Sequence, residues 1–337
     1  MTRHRNVAVI GVGLIGSAWA IAFARAGWNV RLFDSEQDKV GSAAVWIAQR
    51  LSDLESYSLL SESSEAILRR IVCAPSLAEA LSGAEYVQES VLEQTGVKRQ
   101  LFSDLELLLD EGALVGSSSS GIPASAYTGH VSFRDRCLVA HPVNPPYLIP
   151  VVELVPAPWT AGATLSSARE IMLDIGQKPV SLSREIEGFV LNRLQGVLLR
   201  ECFKLVEDGI ASVEDLDATV SHGLGIRWSF MGPFETIDLN APGGVADYAA
   251  RLGELYRSIA SSRDHASGWS ADLVKEVERQ RRAIVSMDSL NDHATWRDRR
   301  LMAMARERIV PMGPNDSDRV ITEDDRNPIE SLAISSD

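Results

Sequence analysis

Short apolar runs and amphipathic stretches alternate along the first half of the chain. Asn6-Val7-Ala8-Val9-Ile10 reads as a buried strand, and Ser17 to Ala26, closed by Gly27, has helical spacing. Asn29 to Phe33 is again strand-like, so strand, glycine turn, helix and strand follow one another in under 35 residues. That order predicts a βαβ unit and a parallel sheet. Val40 to Leu60 is predicted helical, with Ser64 to Ile71 completing a helical hairpin. Further buried strands are predicted at Ala84–Gln88, Ala113–Gly116, Cys137–Ala140 and Val151–Leu154, with helices at Val97–Leu109 and Leu165–Ile175.

After Gly188 the pattern changes to amphipathic helices with no strand. They are predicted at Phe189–Val206, Val213–Val220, Gly244–Ser261, Ala271–Val285 and Ala294–Val310, the second opened by the capping pattern Ser212-x-x-Asp215. The expected architecture is α/β: an N-terminal Rossmann-type doubly wound sheet over 1–186, then an all-helical domain over 187–310. Residues 311–337 carry seven acidic and two basic side chains and are expected to be a disordered acidic tail.

Two places in this pattern carry chemistry. The first predicted strand ends in Gly11-Val12-Gly13-Leu14-Ile15-Gly16, and Asp34 closes the next strand 18 positions past Gly16. A lone G-x-G-x-x-G is weak, but between strand and helix it is a dinucleotide-binding fingerprint. Gly11 allows a tight turn, Gly13 lets the pyrophosphate approach the backbone, and Gly16 lets helix and strand pack closely. Asp34 would hydrogen-bond the adenosine ribose and repel a 2′-phosphate. Ser35-Glu36-Gln37 supply no arginine, which favours NAD over NADP.

The second place runs from Ala140-His141-Pro142 through a proline-rich connection to Val151-Val152-Glu153-Leu154-Val155. A glutamate inside an apolar run is costly to bury unpaired, and His141 is the nearest partner. Strand alternation alone would equally put Glu153 in solvent and leave His141 at a strand end. The nucleotide fingerprint tips the balance. Hydride transfer to NAD⁺ needs a base for the hydroxyl proton, and a histidine oriented by a carboxylate supplies one. The stretch Pro142 to Pro150 is expected to act as a stiff spacer between the two.

The chain resembles the 3-hydroxyacyl-CoA dehydrogenase superfamily, most closely its lambda-crystallin branch, whose enzymatic members act as L-gulonate 3-dehydrogenases. The glycine loop carries the resemblance together with Gln88-Glu-Ser-Val-Leu-Glu93, Ser117-Ser-Ser-Ser120, Ala140-His-Pro-Val-Asn-Pro-Pro146, Glu187-Gly-Phe-Val-Leu-Asn-Arg193 and Gly223-Leu-Gly-Ile-Arg-Trp228. Met231-Gly-Pro-Phe-Glu-Thr236 and Trp296-Arg-Asp298 extend it, so it spans roughly residues 5 to 310.

The resemblance implies that His141 is the general base, Glu153 its partner, and Ser120 and Asn192 the groups that hold the reacting oxygen. It implies that Glu93 and Lys98 lie near the nicotinamide ribose, although a Glu and a Lys five apart at a helix start are commonly surface charges. It also implies a homodimer through the helical domain.

Members of the superfamily act on acyl-CoA thioesters or on small free acids. Arg227, read as part of a glycine-containing loop, suits a free carboxylate, because a guanidinium matches it bidentately. The serine-rich loop 117–120 supplies hydroxyls suited to a polyol, which favours L-gulonate. L-carnitine dehydrogenase is the near alternative, although a trimethylammonium group calls for an aromatic or acidic cage that the sequence does not reveal. Short-chain 3-hydroxyacyl-CoA oxidation ranks third. Outside catalysis, the alternative is a crystallin-like structural or NAD-sensing protein.

Composition narrows the partners. A net charge of −13 argues against nucleic acid. No run of about 18 apolar residues predicts a membrane span, and the start Met1-Thr2-Arg3-His4-Arg5 has no signal-peptide pattern, so a cytoplasmic protein is expected. Cys73, Cys137 and Cys202 have no paired spacing, which suggests neither disulfides nor a metal site and makes each a small buried hydrophobe.

Overall fold

The computed structural model describes residues 5–262 and 268–307. Eight strands form one sheet: β1 (Asn6–Ile10), β2 (Asn29–Phe33), β3 (Ile71–Cys73), β4 (Tyr86–Glu89), β5 (Leu114–Ser117), β6 (Cys137–Pro142), β7 (Val151–Pro156) and β8 (Lys178–Ser181). Their order is β3-β2-β1-β4-β5-β6-β7-β8. All neighbours are parallel except β6 and β7. The chain starts at β1, winds outward to β3, and returns to β4 on the other side of β1. That reversal opens a crevice at the carboxyl ends of β1 and β4, where open α/β sheets take their ligands.

Helices cover the sheet. The first half contributes α1 (Leu14–Arg25), α2 (Gln37–Ser56), α3 (Ser64–Leu68), α4 (Leu77–Leu81), α5 (Thr95–Glu106), α6 (Ser125–Thr128) and α7 (Gly162–Asp174). Two hydrophobic clusters result. One packs Trp19 and Phe23 of α1 with Trp28, Tyr86 and the α2 residues Ile47, Leu51 and Leu54, and the other packs Phe102 of α5 with Tyr127 and Phe133. Double coverage explains why β4 and β6 are buried at every position, although β4 ends in Gln88 and Glu89 and only β6 opens with an apolar run.

Beyond β8 the described residues form only helices: α8 (Leu191–Glu207), α9 (Val213–Ala218), α10 (Gly225–Trp228), α11 (Pro233–Leu239), α12 (Gly244–Ser261), α13 (Ala271–Ile284) and α14 (Leu290–Glu307). Ser212 caps α9 as its sequence predicts, its hydroxyl accepting from Asp215 N at 3.1 Å. The architecture is thus a Rossmann-type sheet followed by an all-helical part. The acidic segment 311–337 and the last three residues of the helix expected to reach Val310 lie outside the described residues.

Several local expectations change. Ile71 begins β3 instead of ending a helix, and β8 was not anticipated. Both strands pair with only one neighbour, so neither needs a fully apolar pattern. The segment carrying Arg227 is not a loop: a π-helical stretch, Thr219–Leu224, runs directly into α10. Among the cysteines Cys137 is buried and Cys202 half-buried, but Cys73 is exposed, because β3 lies at the sheet edge.

Candidate active site

The glycine loop leaves β1 and enters α1. Gly11 has φ +90°, and a Cβ there would sit 2.5 Å from Ser90 O. A Cβ on Gly16 would sit 1.9 Å from Gly11 O, so these two glycines are demanded by the turn and by packing. Gly13 differs: a Cβ there would meet nothing within 4 Å. Its bareness keeps the approach to the helix N-terminus open. Gly13 is also the N-cap, without a side-chain cap, which leaves the first-turn N–H groups of Leu14, Ile15 and Gly16 for an anion.

Asp34 braces this loop. Its Oδ2 accepts from Val12 N and its Oδ1 from Glu36 N, both at 3.0 Å. Each oxygen keeps lone pairs for a ribose, while of the flanking cations Arg31 donates to the carbonyls of Glu79 and Ser82 and Lys39 pairs with Glu36 at 2.5 Å. The cradle fits a dinucleotide pyrophosphate with an unphosphorylated ribose.

On the other side of the crevice, register brings the second motif together. In the antiparallel β6/β7 pair His141 stands directly opposite Glu153. His141 Nδ1 lies 2.9 Å from Glu153 Oε2, with the residues 6% and 2% exposed. The ladder, rather than a stiff proline spacer, sets this geometry. Glu153 Oε1 accepts from Val190 N at 2.8 Å and Leu191 N at 2.9 Å. Burial pushes the Glu153 carboxyl up, but the His141 bond and the two N–H groups outweigh it and hold it below the ordinary value.

The chain turns to present those N–H groups through Gly188 (φ +73°) and Phe189 (φ +50°). A left-handed phenylalanine is strained, at a cost of roughly 1–2 kcal/mol. Its ring is fully buried with its centroid 5.7 Å from that of His141, and this burial offsets the strain.

A cavity of about 570 Å³ opens beside this pair, lined by Ile15, Glu93, Lys98, Ser118–Ser120, His141, Asn144, Leu191 and Gln195 among others. It brings together the end of the glycine loop, His141 and the first turn of α8. Asn192 reaches it indirectly, its Nδ2 donating to Ser120 O at 2.7 Å.

The two charged candidates, Glu93 and Lys98, both line this cavity, and each is held by specific hydrogen bonds. Lys98 is 1% exposed and donates to both oxygens of Glu89, at 2.7 and 2.8 Å, so its ammonium is engaged under the cavity wall rather than at the surface. Glu93 gathers the serine loop: Ser119 Oγ, Ser120 N, Ser120 Oγ, Gly121 N and Ile122 N all donate to it. Despite the opposing effect of partial burial, these donors hold its carboxyl down to about 2.

The serine run is likewise committed. Ser117 Oγ donates to Glu89, and Ser118 Oγ sits among Trp19 Nε1, Gln88 Nε2 and Ser90 Oγ. The loop therefore does not offer a row of free hydroxyls to a polyol.

Arg227 is exposed on α10 and does not line the cavity, and its guanidinium forms no ion pair among the described residues. Glu89, Asn144 and Gln195 escaped the sequence reading. For Glu89 a signal existed, since Gln88-Glu89 ends a strand flanked by buried strands and such a carboxylate needs a partner.

Two profiles of one family match: the NAD binding domain of 3-hydroxyacyl-CoA dehydrogenase over residues 6–186 and its C-terminal domain over 188–282. The chain belongs to the 3-hydroxyacyl-CoA dehydrogenase family. It is an NAD-dependent oxidoreductase of that type, and the glycine cradle and Asp34 are in keeping with the cofactor.

Among its relatives, the lambda-crystallin homolog of Bos taurus is 41% identical over 304 residues, 89% of this chain and 94% of that protein. An L-carnitine dehydrogenase of Streptomyces griseus is 35% identical over 295 residues, 82% of this chain and 87% of that one. Among solved structures, 5-formyl-3-hydroxy-2-methylpyridine 4-carboxylic acid 5-dehydrogenase, an NAD⁺-dependent dismutase, superposes with a TM-score of 0.77 at 26% identity, covering 90% of this chain and 98% of that one.

Proposed function

We propose that this chain oxidises the 3-hydroxyl of a small free 3-hydroxy acid, L-gulonate to 3-dehydro-L-gulonate being the best-fitting reaction. The observation that carries the reading is the His141–Glu153 contact of 2.9 Å at the cavity wall. With Nδ1 engaged by the carboxylate, Nε2 is the nitrogen left for substrate. It takes the hydroxyl proton as carbon 3 becomes a carbonyl, and Glu153, an acceptor at Oε2, stabilises the resulting imidazolium. Bound NAD⁺ supplies the acceptor for the hydride that leaves carbon 3. Ser120 and Asn192 hold the reacting oxygen's side of the cavity.

The substrate's identity rests on three supports. The resemblance to the lambda-crystallin branch, whose enzymatic members act as L-gulonate 3-dehydrogenases, favours L-gulonate, and lambda-crystallin homologs are among the relatives. No Phe, Tyr or Trp is among the residues lining the cavity, and its one carboxylate, Glu93, already accepts five hydrogen bonds, which is poor provision for a trimethylammonium group. Arg227 carries a guanidinium without an ion-pair partner among the described residues and is the proposed carboxylate contact. That role needs α10 to approach the cavity, because Arg227 does not line it.

A homodimer through the helical domain, 187–310, is part of the same reading. Neither α8 nor α12 buries a residue within the single chain, although Leu194, Val197, Leu255 and Ile259 are apolar and exposed. Such faces call for a partner.

The test is NADH formation, followed by absorbance, with L-gulonate, L-carnitine, 3-hydroxybutyrate and 3-hydroxybutyryl-CoA, each with NAD⁺ and NADP⁺. Turnover of L-gulonate with NAD⁺ well above the others is expected. Preference for L-carnitine or the CoA ester would replace the substrate assignment. Tight NAD binding without any turnover would favour the crystallin-like or sensing role.

A further inference from the structure

The wall that carries His141 is polar, but most of its polar side chains are engaged with one another. Lys98 donates to Glu89, Ser119 and Ser120 donate to Glu93, and Ser90 and Ser118 share a hydrogen bond at 2.8 Å. Among the polar side chains lining this cavity, only Asn144 and Gln195 make no hydrogen bond to another described residue. Asn144 follows His141 by three positions, at the reacting end, and its Oδ1 is buried. Gln195 is exposed and belongs to α8.

Helix geometry fixes where Gln195 stands. Leu191 N donates to Glu153 Oε1 at 2.9 Å, so the first turn of α8 abuts the His141–Glu153 pair. Gln195 comes four positions later, on the same face of the helix and about 6 Å farther along its axis. Leu191 and Gln195 both line the cavity, which puts the carboxamide about one turn beyond the reacting end. Gln195 also borders a second cavity of about 510 Å³, whose α8 wall is Leu198, Leu199, Cys202, Phe203 and Val206. It therefore stands at the border of a polar cavity and a largely apolar one.

We propose that Gln195 is a specificity-determining residue: its carboxamide binds hydroxyls that the substrate carries beyond carbon 3, so that the site selects a polyhydroxy acid over an aliphatic one. The inference deepens the reading of this cavity as the place of 3-hydroxy acid oxidation and rests on it. A carboxamide sets an N–H donor beside a C=O acceptor, and two neighbouring hydroxyls supply the matching acceptor and donor. A carboxylate has no proton for the C=O, so Gln195 suits the hydroxylated end of the substrate better than its acid end. An alkyl chain satisfies neither group. Because Gln195 is in contact with solvent, the selection has the size of ordinary hydrogen bonds, well short of the discrimination that a fully buried polar site achieves.

The experiment is steady-state NADH formation at saturating NAD⁺ by wild type, Gln195→Leu and Gln195→Ala, with L-gulonate, L-3-hydroxybutyrate and L-3-hydroxyhexanoate. Wild type should favour L-gulonate over 3-hydroxybutyrate in kcat/KM. Both variants should raise KM for L-gulonate by about five- to fiftyfold, the range of two ordinary hydrogen bonds, with kcat within about twofold. For 3-hydroxybutyrate, whose chain stops at carbon 4, kcat/KM should stay within about twofold. Gln195→Leu should improve 3-hydroxyhexanoate by about two- to tenfold, because leucine extends the apolar wall, and Gln195→Ala should improve it less. NAD⁺ affinity should stay at the wild-type value in both variants.

Equal changes for L-gulonate and 3-hydroxybutyrate, no change for either, or a fall in kcat at unchanged KM would overturn the inference. A wild type that prefers 3-hydroxybutyrate to L-gulonate would overturn it too. In each of these cases 3-hydroxy acids are still oxidised, and the reading of the cavity stands without this inference. A wild type that oxidises none of the three acids would overturn that reading, and this inference with it.

Discussion

The sheet half and the helical half of this chain differ in how completely each satisfies itself. In the sheet half, strands are covered on both faces, and the buried charged side chains Glu89, Lys98, His141 and Glu153 have named partners, although Tyr127 Oη, Asn144 Oδ1, Tyr147 Oη and Gln177 Oε1 are buried there without one among the described residues. In the helical half, α8 and α12 bury nothing, and Phe230, Phe234 and Leu239 are 67%, 77% and 69% exposed. Its closest engagement with the sheet half is at two points: the start of α8, whose N–H groups bond Glu153, and α14, whose Met302 is fully buried in the sheet-half core. The contrast teaches where preorganisation resides. The His141–Glu153 pair and the cofactor cradle are built by the sheet half, while the helical half lends one turn to the site and leaves apolar faces exposed.

Four changes would break or sharpen that contrast. The largest effect is expected from Lys98→Met, which leaves Glu89 buried without its cation. Removing one partner of a buried ion pair costs about 3–5 kcal/mol, so the urea midpoint should fall steeply, whereas the exposed Arg257–Glu254 pair on α12 should be removable at little cost. A Lys98→Met protein of wild-type stability would show that the sheet half tolerates unpaired charge.

Next comes Glu153→Gln, which keeps an acceptor for Val190 and Leu191 but removes the charge that stabilises imidazolium. A loss of about 10²–10³-fold in kcat with unchanged NAD affinity is expected from steady-state kinetics and cofactor titration. A third change tests the helical half. Phe230→Asp with Phe234→Asp should shift the proposed dimer toward monomer in light scattering while leaving NAD affinity unaltered, and an unchanged mass would place the contact elsewhere.

The smallest effect concerns acid stability. The Glu93 carboxyl lies at about 2 in the folded chain against an ordinary 4.5. A depressed carboxyl stabilises the fold above the unfolded value and ceases to do so as pH falls through the folded one. The stability difference between wild type and Glu93→Gln should therefore shrink between about pH 4.5 and pH 2, as read by urea unfolding at each pH.

Much of the sheet half is legible in the sequence because its signals are local. Gly11, Gly13 and Gly16 follow a strand and open a helix, and the apolar runs around His141 and Glu153 are strands buried on both faces. What local pattern does not carry is register. Whether His141 and Glu153 meet depends on β6 and β7 being antiparallel and in step, which no single stretch encodes. The Glu93 contacts span 26 to 29 positions and have the same character. Reading Ser117–Ser120 as free hydroxyls failed for that reason, since their partners come from β4 and the turn after it. Arg227 misled in another way: Gly223 and Gly225 suggest a loop, yet here they sit in continuous helix.

The central claim is that His141, oriented by Glu153, takes the hydroxyl proton as NAD⁺ accepts hydride. Its most direct test is a single-turnover measurement of NADH formation by His141→Asn and wild type, on the free 3-hydroxy acid that the wild type turns over fastest. The account predicts a loss of at least about a hundredfold in the rate of NADH appearance with NAD⁺ affinity unchanged. A His141→Asn enzyme that forms NADH at the wild-type rate would contradict it.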